Sequence, residues 1–261
     1  MPTTVSGVSE TVTGPTAGTE PDRNGTVVSE HSALVCAHRG ASLRLPDNSL
    51  RSFEAAIASG CELIESDVRA DRRDRLVLAH DRVRVAAANA RDPERPRPRG
   101  SARPRSSPAP RIVPEPIPLQ ALLELASGRI GLDLEIKEAR VVPALLDAIA
   151  RWSGPVVLTS FDPVAIRTVR ELDPSRSTGL IAGPMHIGDP VADAVACGAD
   201  ALVLSERRAT AKLLATGGLP IWVWTVNQRA RLARWLAEPA VACVITNDPA
   251  TAVAVRDQLR R

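Results

Sequence analysis

Eight times between Ala33 and Arg261 a short run of β-branched or apolar residues gives way to a stretch with helical spacing, and this alternation leaves few folds open. The runs are LVCAHRG, ELIESDVR, GLDLEIK, VVLTSF, STGLIAG, ADALVLS, IWVWTVN and CVITND. They are largely continuous in apolar character, as strands buried on both faces are. Among the intervening stretches, SLRSFEAAIASG sets Leu50, Phe53 and Ile57 on one side, and VVPALLDAIARW, PVAIRTVREL and ATAVAVRDQL have the same period. Strands joined through helices lie parallel, and eight such units in about 230 residues is the size at which a parallel sheet closes on itself. The pattern predicts a single-domain α/β fold over 33–261, a (β/α)8 barrel. An open doubly wound sheet is the alternative, but no strand is followed by a G-x-G-x-x-G or Walker sequence that would support it.

Two segments break the pattern. Residues 1–32 are rich in Thr, Ser, Gly and Pro, and the first 30 carry Arg23 alone against four acids, so a disordered tail is expected. They show neither the basic start nor the apolar stretch of a secretory leader. Residues 82–118 hold nine of the 22 prolines and nine arginines against three acids, and predict a flexible basic insertion after the second strand region. A solvated linker is one reading of it, and a basic flap that attracts anionic substrate is the other. The net charge of +3 sits in this segment, since the remaining chain carries about −3. All but two of the 33 basic residues are arginine, a bias that belongs to coding composition more than to nucleic-acid binding, and no nucleic-acid partner is expected. Cys36, Cys61, Cys197 and Cys243 form no Cys-x-x-Cys pair and lie in or beside apolar runs. Buried free thiols, a reducing compartment and a cytoplasmic location follow as expectations. No apolar run approaches the roughly 20 residues of a membrane span, so stable membrane insertion is not expected.

In a barrel of this kind chemistry belongs at the C-terminal ends of the strands. The first strand runs into His38-Arg39-Gly40, the second carries Glu65 and Asp67 two residues apart on one side, and an extended RLVLAHD ends in His80-Asp81. The third barrel strand carries Asp133, Glu135 and Lys137, again on one side. Asp133 is ambiguous: a place deeper in the barrel, paired with Lys137 or Arg39, is its other reading. Carboxylates inside a barrel cost several kcal/mol each, as an order of magnitude, unless compensated. Glu65, Asp67 and Glu135 therefore call for a cation, and all-oxygen ligation selects Mg²⁺ or Ca²⁺ over zinc. The histidines then remain for proton transfer, with Arg39 and Lys137 to hold nonbridging oxygens, an arrangement suited to phosphoryl chemistry.

The order of these residues resembles the glycerophosphodiester phosphodiesterase family. The resemblance rests on His38-Arg39-Gly40, Pro46-Asp47-Asn48-Ser49 opening a helix with Phe53 and Ala56, Glu65-Ser66-Asp67-Val68, and His80-Asp81. It continues through Leu134-Glu135-Ile136-Lys137, Ser160-Phe161, Trp224-Thr225-Val226-Asn227 and Ile245-Thr246 with Pro249, and so spans about 34–260. It implies a metal-dependent hydrolysis of small glycerophosphodiesters to glycerol 3-phosphate and an alcohol. His38 and His80 would be the acid/base pair, Glu65, Asp67 and Glu135 the metal ligands, and Arg39 and Lys137 the phosphate contacts. Phe161 and Trp224 resemble positions that wall the alcohol or glycerol; Trp222 and Trp224 are expected to alternate, with only Trp224 facing inward. Which histidine is base, the preferred alcohol and the oligomeric state stay open.

The chain departs from the family in three places. Asp47-Asn48-Ser49 replaces the usual Glu-Asn-Thr, changing either a contact in the site or a helix cap. Asp71-Arg72-Arg73-Asp74 replaces a Thr-x-Asp-Gly turn, and the Arg/Pro-rich segment replaces the Arg-x-Thr-x-Gly stretch and compact loop that shape the leaving-group pocket. Alternatives within the same chemistry are a lysophospholipase D-type activity on a lipid diester, which an apolar patch at the mouth would favour and for which the sequence shows none, and a cyclising phospholipase. A catalytically silent barrel that binds a phosphate ligand is the alternative of a different class.

Overall fold

The computed structural model describes residues 33–81, 116–215 and 218–261; the expected tail over 1–32 and residues 82–115 of the expected insertion lie outside the described residues. Among the described residues nine strands follow one another as β1 Leu34–His38, β2 Leu63–Ala70, β3 Leu76–Leu78, β4 Gly131–Ile136, β5 Val156–Ser160, β6 Ser177–Ala182, β7 Ala201–Ser205, β8 Ile221–Trp224 and β9 Val241–Thr246. All eight expected strands are present. β1 pairs in parallel with both β2 and β9, which closes the sheet and excludes the open alternative. β3, the extended RLVLAHD, stands outside the barrel and runs back antiparallel along the end of β2, matching Val68 with Leu78.

The helices are α1 Leu50–Ser59, α2 Leu119–Ala126, α3 Val142–Ile149, α4 Pro163–Leu172, α5 Pro190–Cys197, α6 Ala211–Leu214, α7 Arg229–Leu236 and α8 Pro249–Leu259. Their starts are written locally. α4, α5 and α8 each open on an aspartate followed by proline, the carboxylate of Asp162, Asp189 or Asp248 accepting a backbone N–H of the first turn. Proline there gives up only an N–H that the helix would leave unpaired anyway. α1 has a reciprocal cap between Ser49 and Ser52. The helix expected through Trp152 stops at Ile149, ahead of the Gly154-Pro155 turn into β5.

Alternate residues of each strand divide the core in two. Val35, Ala37, Ile64, Leu132, Leu134 and Leu158 face the helices, with Phe53, Leu122, Leu145 and Trp235 packed on them. Cys36, Leu63, Val157, Ile181, Val203, Trp222, Cys243 and Ile245 fill the barrel interior. Gly131 makes room in this inner layer, since a Cβ there would lie 2.6 Å from Cδ2 of Leu63. The four cysteines are buried and free, as expected. The two tryptophans correct the expectation: Trp222 lies in the interior cluster and Trp224 packs on it, because residues two apart on a strand share a face.

Candidate active site

Parallel pairing of β2 and β4 sets Glu65 opposite Asp133 and Asp67 opposite Glu135, so four carboxylates face one another at the barrel axis. The ligand oxygens of Glu65, Asp67 and Glu135 lie within 4.8 Å of one another, and all three residues are buried. Asp133 sits one residue pair deeper and takes a 2.7 Å hydrogen bond from the Thr159 hydroxyl rather than pairing with Lys137 or Arg39. Lys137 Nζ reaches Asp67 Oδ1 at 2.8 Å and Glu135 Oε1 at 2.5 Å. Arg39 places Nε 3.1 Å from Asp67 Oδ2, and its backbone N–H donates to Glu65 Oε2 at 2.8 Å. Asn48 donates from Nδ2 to Asp67 Oδ2 at 2.8 Å and accepts the Ser66 hydroxyl.

Two cations among four acids leave the array short of positive charge, and the titration directions reflect it. Burial, with Asp67, Glu135 and Asp133 around it, pushes the Glu65 carboxyl well above the usual carboxylate range. Burial pushes Asp133 up to about 7 despite its Thr159 hydrogen bond, and Glu135 up to about 7 against the pull of Lys137. Asp67 goes the other way: burial opposes its charge, but Lys137 and Arg39 outweigh burial and hold it below its ordinary value. Glu65 Oε1 is buried with no hydrogen-bond partner. A buried, orphaned carboxylate oxygen beside two further carboxylates fits a hard divalent ion such as Mg²⁺ or Ca²⁺.

His38 ends β1 with Nδ1 2.6 Å from Asn247 Oδ1 and Nε2 4.0 Å from Glu65 Oε2. The Ser42 hydroxyl donates to His38 O at 2.7 Å; with the Asn247 amide oxygen toward the ring, His38 Nδ1–H donates and the Nε2 lone pair is turned toward the cavity. Burial, helped by Arg39, lowers the His38 pKa to about 4. His80 is more open, its side chain 45% exposed and Nδ1 3.0 Å from Asp81 Oδ1. Both histidines line a cavity of about 70 Å³ with Arg39, Glu65, Glu135 and Lys137. Phe161 and Trp224 form its apolar side, edge to face with ring centroids 5.6 Å apart. Every residue expected in the site lines this cavity except Asp67, which is joined to it through Arg39 and Lys137.

The sequence reading missed Asn247, which follows β9. The rule that singled out His38 and Lys137, a polar residue just past the end of a barrel strand, applies to it equally. Asp47 accepts from Arg39 Nη1 at 3.2 Å while Ser49 caps α1, so the Asp-Asn-Ser departure touches both a site contact and a cap. Leu43, Phe161, Met185 and Ile187 stand exposed on the loops after β1, β5 and β6. Apart from Phe161, which ends the VVLTSF run, they lie outside the strand and helix runs, where periodicity gives no signal.

The sequence profile of the glycerophosphoryl diester phosphodiesterase family matches residues 38–150 and 133–251. A glycerophosphodiester phosphodiesterase of Caldanaerobacter subterraneus is 25% identical over 238 residues, covering 84% of this chain and 96% of that protein. An Oleispira antarctica phosphodiesterase, solved in complex with the product sn-glycerol-3-phosphate, superposes with a TM-score of 0.69 at 20% identity over 87% of this chain and 97% of its own. A glycerophosphodiester phosphodiesterase of Parabacteroides distasonis gives a TM-score of 0.65 at 19% identity over 87% and 98% of the two chains. At these identities the solved structures bear on the fold alone.

Proposed function

Because the chain belongs to the glycerophosphoryl diester phosphodiesterase family, we propose that it hydrolyses small glycerophosphodiesters to glycerol 3-phosphate and an alcohol, with His38 and His80 exchanging the protons. The observation that carries this reading is the convergence of Glu65, Asp67 and Glu135 beside a cavity that both histidines line. Those three carboxylates would hold the divalent ion, which when bound supplies Lewis-acid stabilisation of charge on the phosphoryl oxygens. Arg39 and Lys137 orient the diester by its nonbridging oxygens. His38, neutral and with Nε2 free, takes the proton from the attacking hydroxyl, and His80 protonates the leaving alkoxide. If the neighbouring glycerol hydroxyl attacks first, water then opens the cyclic phosphate with the two roles exchanged. Phe161 and Trp224 shield the alcohol from water.

The test is incubation of the purified protein with a panel of glycerophosphodiesters, with and without chelator, and enzymatic detection of glycerol 3-phosphate. Turnover should vanish with chelator and in His38→Ala and Glu65→Ala proteins that keep their fold. Full turnover in either variant sinks the assignment. A cyclic phosphate as end product would make the protein a cyclising phospholipase, turnover confined to lysophospholipids a lysophospholipase D, and retention of phosphate ligands without turnover a silent barrel.

A further inference from the structure

Asn48 reaches from the loop between β1 and α1 onto β2, and both polar atoms of its side chain are used there. Nδ2 donates to Asp67 Oδ2 at 2.8 Å, while Oδ1 accepts the Ser66 hydroxyl at 2.7 Å and the Asp67 backbone N–H at 3.4 Å. A backbone N–H can only donate, so Oδ1 must face it and the amide nitrogen must face the carboxylate. The Asn48 backbone is committed as well. Its N–H donates to Arg39 O at 3.1 Å, an oxygen that also accepts the Ser52 hydroxyl at 3.0 Å. Its φ of +49° lies in the left-handed region, which asparagine enters more readily than most residues. The loop is thus closed at its neck, with the amide held against one oxygen of one carboxylate.

We propose that Asn48 is a positioning residue for Asp67, fixing Oδ2 so that Oδ1 is the oxygen turned to the divalent ion. This rests on the reading that Glu65, Asp67 and Glu135 hold that ion. Oδ2 is engaged twice, by Asn48 Nδ2 and by Arg39 Nε at 3.1 Å. Oδ1 shares the Lys137 ammonium with Glu135 Oε1, which puts it on the side of Glu135. The same loop neck supplies the Arg39 N–H to Glu65 Oε2 at 2.8 Å, so one short segment orients two of the three carboxylates. A carboxylate with one oxygen fixed has already lost the rotation that binding an ion would otherwise have to freeze. Hydrogen-bond partners standing behind a ligand in this way are worth about 10–100-fold in metal affinity.

The test is calorimetric titration of the full chain and its variants with Mg²⁺ and with Ca²⁺, without substrate. Asn48→Gly suits the left-handed backbone but removes the amide. It should melt close to the full chain in chelator, yet bind either ion about 10–100-fold more weakly. Asn48→Ser, whose hydroxyl is too short to reach Oδ2, should show the same loss. Ser52→Ala loosens the same neck with the amide left in place, and should bind the ion as the full chain does. Turnover of Asn48→Gly should fall at limiting ion and return when the ion concentration is raised by the factor lost in affinity. Unchanged affinity in Asn48→Gly and Asn48→Ser would overturn the proposal. So would an equal loss in Ser52→Ala, which would assign the effect to loop order, or lost turnover that no ion concentration restores. A full chain that binds neither ion would instead fault the metal reading itself, and this proposal with it.

Discussion

Glu135 carries its proton to about 7 because burial penalises its charge, so a cation at this site has to displace a proton. A folded-state pKa raised above the unfolded one gives stability that is fully present below about 4.5 and lost as pH rises through about 7. Binding of the ionised form reverses that trend. The rise in Tm on adding Mg²⁺ or Ca²⁺ should therefore grow between pH 5.5 and 7.5, reaching about 2.7 kcal/mol of stabilisation at a hundredfold excess over Kd. It should vanish in Glu65→Gln; a metal-induced shift independent of pH would show that these carboxylates are not the ligands. His38 depends on a single acceptor, Asn247 Oδ1. Asn247→Ala should lower kcat about tenfold with little change in KM, the cost of one lost hydrogen bond, and Asn247→Asp should restore much of it. A KM effect alone would place Asn247 in binding instead. Why Glu65, Asp67 and Glu135 stood out in the sequence and Asn247 did not is physical. A charge inside an apolar strand is costly enough to demand a reason, whereas a neutral amide just past the strand is ordinary in any loop.

At the scale of elements, the places where backbone approaches backbone set the tolerances. A Cβ on Gly131 would meet Leu63 Cδ2 at 2.6 Å and Pro155 at 3.2 Å on a strand that also carries Asp133 and Glu135. Gly131→Ala should cost about 1–3 kcal/mol in chemical denaturation, as overpacking does. Asp248 caps α8 through Thr251, and Asp248→Ala should cost about 1 kcal/mol by the same measurement. Because Asp248 adjoins Asn247, that variant should also slow turnover; loss of stability with kcat unchanged would show that the cap does not position the amide. Strands and the longer helices were legible because each is decided by a period of a few residues. The antiparallel return of β3 was not, since the side of β2 on which an extended segment pairs depends on where the chain re-enters. The tryptophan pair was misread for a simpler reason: period two puts Trp222 and Trp224 on one face.

For the molecule as a whole, closure was legible from the number of repeats, because eight parallel units have one economical way to bury both edges. What the repeats could not locate is the charge. β3 and the start of α2 are tied together by Leu78 N–H to Ile117 O at 2.9 Å, so the nine-arginine stretch leaves and rejoins the barrel at one place, close after His80. Excising residues 85–112 removes seven arginines and two acids, a net charge of +5, without touching a described element, and should leave Tm and the metal-induced Tm shift unchanged. A concentrated positive field at the mouth raises the encounter rate of anions and is screened by salt. Deletion should therefore lower kcat/KM for a net-anionic diester such as glycerophosphoserine more than for zwitterionic glycerophosphocholine, and the difference should shrink as ionic strength rises from 10 mM toward 0.5 M, roughly from a thirty-ångström to a few-ångström Debye length. Equal losses for the two substrates at every salt concentration would mean that the segment acts by contact, and no loss for either would make it a linker.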